Sequence, residues 1–339
     1  MKILVTGGTG YIGSHTTVEL QQQGHEVIIV DNLSNSYQEV VDHIATISGI
    51  KPEFENFDLA DAHKTSDFFQ RNQNIDAIIH FAAYKAVGES VNKPLQYYRN
   101  NLVSLMNVLD GMKQHAIPNL VFSSSCTVYG EPDSLPVSES APIKTATSPY
   151  GNTKQISEDI IRDTAKAYGI HATLLRYFNP VGAHESALIG ELPIGVPNNL
   201  IPYITQTACG IRKQLNVFGN DYNTPDGTAI RDYLHVTDLA KAHIAAVERM
   251  TNNKQHQNVE AFNVGTGKGY SVLEVIKAFE ESTGQKLNYR ITPRRSGDIE
   301  KVWSDTTLAN NELGWKAEKS INEMMLSAWK WQLALNSKN

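Results

Sequence analysis

Short apolar runs alternate with longer stretches of mixed polarity along the first two thirds of the chain. The runs KILVT (2–6), EVIIVD (26–31), DAIIHFA (76–82), LVFSSS (120–125) and ATLLRYF (172–178) are rich in branched residues and apolar nearly throughout. A strand with one wet face would alternate apolar and polar positions. These do not, so they predict strands covered on both faces. Between them, IGSHTTVELQQQG, DFFQRNQN, PLQYYRNNLVSLMNVLDGMKQH and ISEDIIRDTAKAYG predict helices. Strand and helix in repetition predict an α/β fold built on a parallel sheet with helices on both faces.

The rhythm breaks near 180. From FNPVGAHES to about Gly227 the chain reads as loop-rich, with prolines at 180, 193, 197, 202 and 225. A helical VTDLAKAHIAAVERM (236–250) and a strand-like AFNVG (261–265) then return to the first pattern. The remainder ends in a helical INEMMLSAWKWQLALN. This predicts a first domain of residues 1–179 plus 234–265 and a smaller, discontinuous mixed α/β domain of 180–233 plus 266–339.

Composition narrows the function classes. Of 339 residues, 41% are hydrophobic and 19% charged, which is a globular balance and not a disordered one. The net charge of −6 argues against a general nucleic-acid or anionic-membrane surface. Two cysteines, Cys126 and Cys209, stand outside any C-x-x-C or Cys/His cluster, so neither a disulfide framework nor a metal site is expected. Cys126 is expected to be a small buried side chain. No run is long and apolar enough to cross a bilayer, and MKILVTGGTG is too short in apolar residues for a signal peptide, so the cytoplasm is expected.

Candidate chemistry begins after the first strand, at TGGTGYIG. Gly7, Gly10 and Gly13 are spaced three apart and lead into a helix. Glycine permits a tight turn and close backbone approach to a pyrophosphate, and the helix N-terminus offers free N–H groups. The second strand ends in Asp31. An acid about 20 residues past the glycines, at a second-strand end, hydrogen-bonds the adenosine ribose and repels a 2′-phosphate. A dinucleotide is expected there, NAD over NADP, in a Rossmann-like doubly wound sheet. A second glycine run, VGTGKGYSV with Gly265, Gly267 and Gly269, has no such acid downstream and is read as a loop.

SPYGNTK (148–154) places Tyr150 four residues before Lys154, on one face of a helix that Pro149 can open. With 14 tyrosines in the chain, the pair alone carries little. Beside a nicotinamide it carries more. A free phenol has a pKa of about 10, and a close ammonium and a cationic nicotinamide both favour the phenolate. LVFSSS ends at Ser125, also at a carboxyl strand end, where open α/β sheets bind ligands. Ser125, Tyr150 and Lys154 are therefore the expected catalytic set. A strand-end serine that only satisfies loop backbone is the plain alternative for Ser125.

With TGGTGYIGSH, HFAAYKAVGES, FSSSCTVYG, SPYGNTK, LLRYFNPVGAH, GVPNNLIPY, VFGNDYNTPDGTAIRDYLHV and PRRSGDIEKVWSD in view, the chain resembles the extended short-chain dehydrogenase/reductases, and among them the UDP-glucose 4-epimerase family. The likeness runs along essentially the whole chain. It implies reversible C4 epimerisation of UDP-glucose and UDP-galactose through a transient 4-keto sugar, with tightly bound NAD and a homodimer formed through the helices in 88–115 and 150–168. It implies that Gly7, Gly10, Tyr11, Ile12 and Gly13 contact the pyrophosphate, and that Asp31, Asn32 and Asn35 hold the adenosine ribose. Asp58 and Leu59 would flank the adenine. Phe81, Ala82, Lys85, Asn100 and Tyr177, with Tyr150 and Lys154, would line the rest of the cofactor. Asn179, Asn199, Leu200, Phe218, Arg231, Tyr233, Arg295 and Asp298, with Lys85, Ser125 and Tyr150, would form the UDP-sugar site. Arg231 and Arg295 suit the diphosphate.

Two departures stand out. Ala83-Tyr84 replaces the glycine and leucine of many members. Val302 stands where the glucose-selective members carry a tyrosine against the sugar and where members accepting N-acetylhexosamines carry a small residue. Val302 therefore leads us to expect that UDP-GlcNAc and UDP-GalNAc are also substrates; its alternative role is packing. Rival readings are a nucleotide-sugar dehydratase or decarboxylase, and a non-catalytic NAD-binding regulator. Dehydratases carry Asp-Glu after the strand-end hydroxyl, where this chain has Cys126-Thr127, and a regulator need not keep Ser125, Tyr150 and Lys154 together.

Overall fold

The structure, a computed structural model, describes residues 1–295 and 299–337. Six strands alternate with seven helices over the first half: β1 Lys2–Thr6, α1 Tyr11–Gln22, β2 Glu26–Asp31, α2 Glu39–Ser48, β3 Glu53–Asn56, α3 Ala62–Arg71, β4 Ala77–His80, α4 Val87–Asn92, α5 Pro94–Tyr98, α6 Ser104–Gln114, β5 Asn119–Ser123, α7 Pro149–Tyr168 and β6 His171–Tyr177. Then follow β7 Asn179–Val181, α8 Leu200–Ala208, β8 Leu215–Phe218, β9 Ile230–His235, α9 Val236–Thr251, β10 Val259–Val264, β11 Gly269–Ser271, α10 Val272–Thr283, β12 Tyr289–Thr292, β13 Lys301–Val302 and α11 Ile321–Asn336.

Seven parallel strands form the main sheet in the order β10-β6-β5-β4-β1-β2-β3. This is the doubly wound arrangement expected from the apolar runs. The strand order reverses between β1 and β4, which opens a crevice at their carboxyl ends. One apolar core, with Ile3, Val5, Ile29 and Leu239, covers one face of the sheet. A second, with Leu4, Ile28, Phe68 and Leu120, covers the other. Neighbouring residues of β1 therefore enter different cores, as a period of two demands. Burying each such side chain stabilises the fold by roughly 1.5–3 kcal/mol.

Smaller sheets follow the break near 180. β9 pairs with β7, β11 and β13, and β8 pairs with β12. They share a third core of Ile204, Val217, Phe279 and Met325.

Several expectations needed correcting. The polar EFEN of β3 was not expected as a strand; it sits at the sheet edge, where one side needs no apolar cover. α2 was also unexpected. The single helix expected over 94–115 is broken by a π-helical turn at Arg99–Val103. There Asn101 turns inward, accepting from the Tyr84 N–H (2.8 Å) and donating to Thr153 Oγ1 (3.1 Å). The stretch read as loop-rich from 180 to about Gly227 contains most of β7 and all of α8 and β8. In the second glycine run, Gly269 already belongs to β11. Among the described residues, no helix is long and apolar enough to cross a membrane.

Candidate active site

A cavity of about 1390 Å³ opens along the carboxyl ends of the main sheet and continues towards β9 and β13. Sites for one small ligand span ~300–1,000 Å³, so this one has room for a dinucleotide and a second nucleotide together.

Its first wall is the glycine loop. Gly7 has φ +69° and lies against the Ala82 backbone, and a Cβ on Gly13 would run into the Gly7 carbonyl oxygen. Gly10 starts α1 with no side-chain cap, so the helix N–H groups stay open towards the cavity. Asp31 ends β2 beside it. Its carboxylate accepts from the Thr9 N–H (3.2 Å) and the Leu33 N–H (2.9 Å), which fixes it at the cavity rim. The site thus fits a dinucleotide: a glycine cradle, an open helix end and a held acid on the ribose side. Gly7, Gly10, Tyr11, Ile12, Gly13, Asp31, Asn32, Asn35, Asp58, Leu59, Phe81, Ala82, Lys85, Asn100 and Tyr177 all line the cavity.

The second wall is α7. Ser148 caps it by accepting from the Gly151 N–H (3.1 Å), Pro149 takes the first position, and Gly169 ends it at φ +70°. Tyr150 and Lys154 therefore fall one above the other on the first turns, both buried and both in the cavity wall. Lys154 Nζ donates to the Ser123 carbonyl (2.6 Å) and sits 4.6 Å above the Phe122 ring. Burial pushes its pKa down to about 7, while Glu158 one turn on pulls the other way. Burial holds the Tyr150 phenol well above its usual value, Tyr177 adds to that, and a hydrogen bond with Ser125 opposes it. In the protein alone, then, desolvation drives the phenol away from ionisation.

A buried cluster stiffens this wall. Glu158 accepts from Ser124 Oγ (2.6 Å) and from Arg176 Nε (2.9 Å) and Nη2 (2.5 Å). Arg176 in turn donates to the Tyr129 hydroxyl (3.0 Å). The strand end carrying Ser125 is thereby tied to α7 and β6. Ser125 itself accepts from the Thr127 N–H (3.2 Å), so the plain strand-end role holds alongside its contact with Tyr150. Cys126 packs against the core of Val128, Tyr129 and Val302, but it is half-buried rather than fully buried and also lines the cavity. Burial pushes its thiol up to about 12.

The third wall comes from the smaller sheets. Asn179, Asn199, Arg231, Arg295 and Val302 reach the cavity. Val302 is also 7% exposed and packs with Val128, Tyr129, Val137 and Phe178. It is thus wall and core at once. Four expected residues are not among the lining side chains. Ser125 is buried, in hydrogen-bonding contact with the Tyr150 phenol. Leu200 packs on the third core at the start of α8. Tyr233 is buried in that core. Phe218 is exposed at the end of β8, with the Arg295 guanidinium 5.5 Å from its ring centre. Asp298 lies outside the described residues.

Sequence reading missed Glu191. Its carboxylate accepts from Lys85 Nζ (3.2 Å) and Asn199 Nδ2 (2.6 Å), joining the first wall to the third. It lies in a loop without periodicity, and its partners are remote in sequence, so no local signal marked it. Ser36, in the loop after β2, was missed too; its hydroxyl supports Asp31 (3.3 Å), five residues before it, and contacts Thr9 (2.7 Å) on the glycine loop. No group of metal-ligating side chains is present among the described residues.

Known proteins give this geometry a context. A family model described as GDP-mannose 4,6 dehydratase matches residues 4–327. The UDP-glucose 4-epimerase of Haemophilus influenzae is 50% identical over 333 residues, covering 98% of this chain and 97% of that protein. The crystal structure of a UDP-glucose 4-epimerase from Stenotrophomonas maltophila with bound NAD and formylated UDP-arabinopyranose has a TM-score of 0.96 at 48% identity, covering 100% of both chains. The UDP-Glc/GlcNAc 4-epimerase of Campylobacter jejuni has a TM-score of 0.84 at 36% identity, covering 98% of this chain and 99% of that one. On this whole-length likeness, the chain belongs to the UDP-glucose 4-epimerase family of the extended short-chain dehydrogenases/reductases.

Proposed function

We propose that the chain interconverts UDP-glucose and UDP-galactose by inverting C4 through a transient 4-keto sugar, with NAD held throughout the cycle. The observation that carries this is one continuous cavity lined by a dinucleotide cradle, by Arg231 and Arg295, and by Tyr150 and Lys154, with Ser125 against the phenol. Bound NAD supplies the hydride acceptor and a positively charged ring. The chain does the rest. Tyr150 takes the proton from the C4 hydroxyl and returns it. Ser125 hydrogen-bonds the phenol and the reacting oxygen. Lys154 holds the nicotinamide ribose and favours the phenolate. Gly7, Gly10 and Gly13 with α1 hold the pyrophosphate, and Asp31 the ribose. Arg231 and Arg295 anchor the diphosphate while the sugar turns over to present its other face. A dehydratase reading finds no carboxyl pair beside Ser125, and the Cys126 thiol, held at about 12, is a poor acid for expelling water.

Three finer readings go with this. Residues 1–179 plus 234–265 form the NAD-binding domain, and 180–233 plus 266–339 the UDP-sugar domain. The small Val302 leaves room for a C2 acetamido group, so UDP-GlcNAc and UDP-GalNAc are substrates too; a relative at 36% identity is a UDP-Glc/GlcNAc 4-epimerase. The protein is a cytoplasmic homodimer; support comes from the exposed Val91, Leu95 and Met106 on α4–α6, and from two cysteines that form no disulfide. The test of the main reading is conversion of UDP-galactose to UDP-glucose by the purified protein without added NAD⁺. Absence of conversion with NAD⁺ supplied contradicts it.

A further inference from the structure

The second glycine run is not an idle loop. Between β10 and β11 it wraps the carboxylate of Asp232. One oxygen accepts from the Thr266 N–H (2.9 Å) and the Thr266 hydroxyl (2.6 Å). The other accepts from the Gly267 N–H (3.2 Å), the Ser304 N–H (3.1 Å) and the Ser304 hydroxyl (2.6 Å). Asp232 is fully buried, and a Cβ on Gly265 would collide with both Ser304 Oγ and the carboxylate. The turn thus carries the backbone donors of an anion site, and the chain fills it with its own anion.

The placement of that anion matters. Asp232 follows Arg231 on β9, so the two side chains leave opposite faces of the strand. Arg231 reaches the cavity; Asp232 turns away from it. Val302 on β13 is the cross-strand partner of Arg231. β13 has only two residues, so its own ladder to β9 is short. Ser304, two residues beyond Val302, is what the carboxylate grips. A carboxylate beside Arg231 would otherwise compete with a diphosphate for the guanidinium. Five donors satisfy it instead, and among the described residues no hydrogen bond joins Asp232 to Arg231.

We propose that Asp232 is a positioning residue: by clamping β9 to β13 it sets Arg231 relative to Val302, and so fixes the diphosphate anchor against the wall that faces the sugar. This rests on the reading of Arg231 as a diphosphate anchor. The reaction presents both faces of one sugar to one site, which only a fixed anchor permits. A misplacement of about 1 Å can cost on the order of 10²-fold.

The experiment uses the purified protein with its bound cofactor, and reads UDP affinity by calorimetry, KM and kcat for UDP-glucose, NAD content and melting temperature. Asp232→Asn keeps the shape and removes the charge. Its dissociation constant for UDP and its KM should rise at least about tenfold, with NAD content unchanged. Ser304→Ala removes one hydroxyl donor and should give an intermediate rise of about threefold. A purely structural Asp232 would lower the melting temperature and leave UDP affinity within about twofold of wild type, and that overturns the proposal. If Asp232→Asn does not fold, Ser304→Ala decides by the same criterion. Arg231→Ala separates the two layers. If it keeps UDP affinity, the anchor reading fails. If it loses affinity while Asp232→Asn does not, the clamp alone fails.

Discussion

TGGTGYIG after β1 and VGTGKG after β10 are alike in letters. Each follows a buried parallel strand, and each turns backbone N–H groups inward. Their ends differ. At the first, Gly10 opens α1 without a side-chain cap and its donors face a cavity. At the second, Thr266 and Gly267 close on Asp232. The first is followed by an acid at the next strand end, which suits a ribose. The second receives its acid from β9, far away in sequence. A glycine turn makes an anion site in both cases. Whether the chain itself supplies the anion decides if the site binds a ligand or holds the fold.

The largest effect should come from giving each turn a Cβ. Gly13→Ala forces the Gly7 carbonyl outward. The purified variant should carry no NAD, by absorbance of the heat-released nucleotide, and should have no epimerase activity. Gly265→Ala should keep NAD and lose UDP affinity. If both variants lost NAD equally, the contrast between the turns would be wrong.

Next comes Tyr150→Phe, which leaves both turns intact and removes only the proton carrier. The rate constant kcat should fall about 10²–10⁴-fold, with NAD retained and UDP affinity unchanged. A smaller kcat loss, matched by an equal loss of NAD, would make Tyr150 a cofactor contact and no more.

Val302→Tyr acts at the strand that the second turn secures. Turnover of UDP-GlcNAc should drop at least about tenfold, while turnover of UDP-glucose stays within about threefold. A variant that keeps its N-acetylhexosamine activity refutes the role given to Val302.

The smallest effect is in acid. Around the first turn, burial holds His15 and His80 down to about 3 and His243 to about 4. His243 lies 4.6 Å from the Phe81 ring in the cavity wall. These imidazoles stay neutral in the fold and take up protons on unfolding, near pH 6.5. Their stabilisation is full above that pH and declines as pH falls from about 6.5 towards 3–4, because there the unfolded state binds more protons. The melting temperature should therefore fall between pH 7 and pH 5. His243→Leu should fall less steeply. Parallel curves would remove His243 from the explanation.

Much of this was legible in the chain. Strands covered on both faces are apolar throughout, so β1, β2, β4, β5 and β6 stand out. β3 reads as polar EFEN because an edge strand needs no such cover. Tyr150 and Lys154 share one short helical turn with its own proline and cap, so their proximity is local. Glu191 and Asp232 were not legible. Glu191 meets Lys85 and Asn199, and Asp232 meets Thr266 and Ser304, only after the fold brings distant segments together. Tyr233 shares a strand face with Arg231 two residues before it, yet packs in the third core, as Leu200 does at the start of α8; distant segments supply that cover, so the local pattern does not show it.

Bound-cofactor epimerisation is tested most directly by incubating the purified protein, with no NAD⁺ added, separately with UDP-glucose and UDP-GlcNAc and resolving the C4 epimers. Both should be epimerised. Conversion of UDP-glucose alone would keep the chemistry of Tyr150 and Lys154 and remove the role of Val302. No epimer from UDP-glucose, even after NAD⁺ is supplied, would contradict the proposed function.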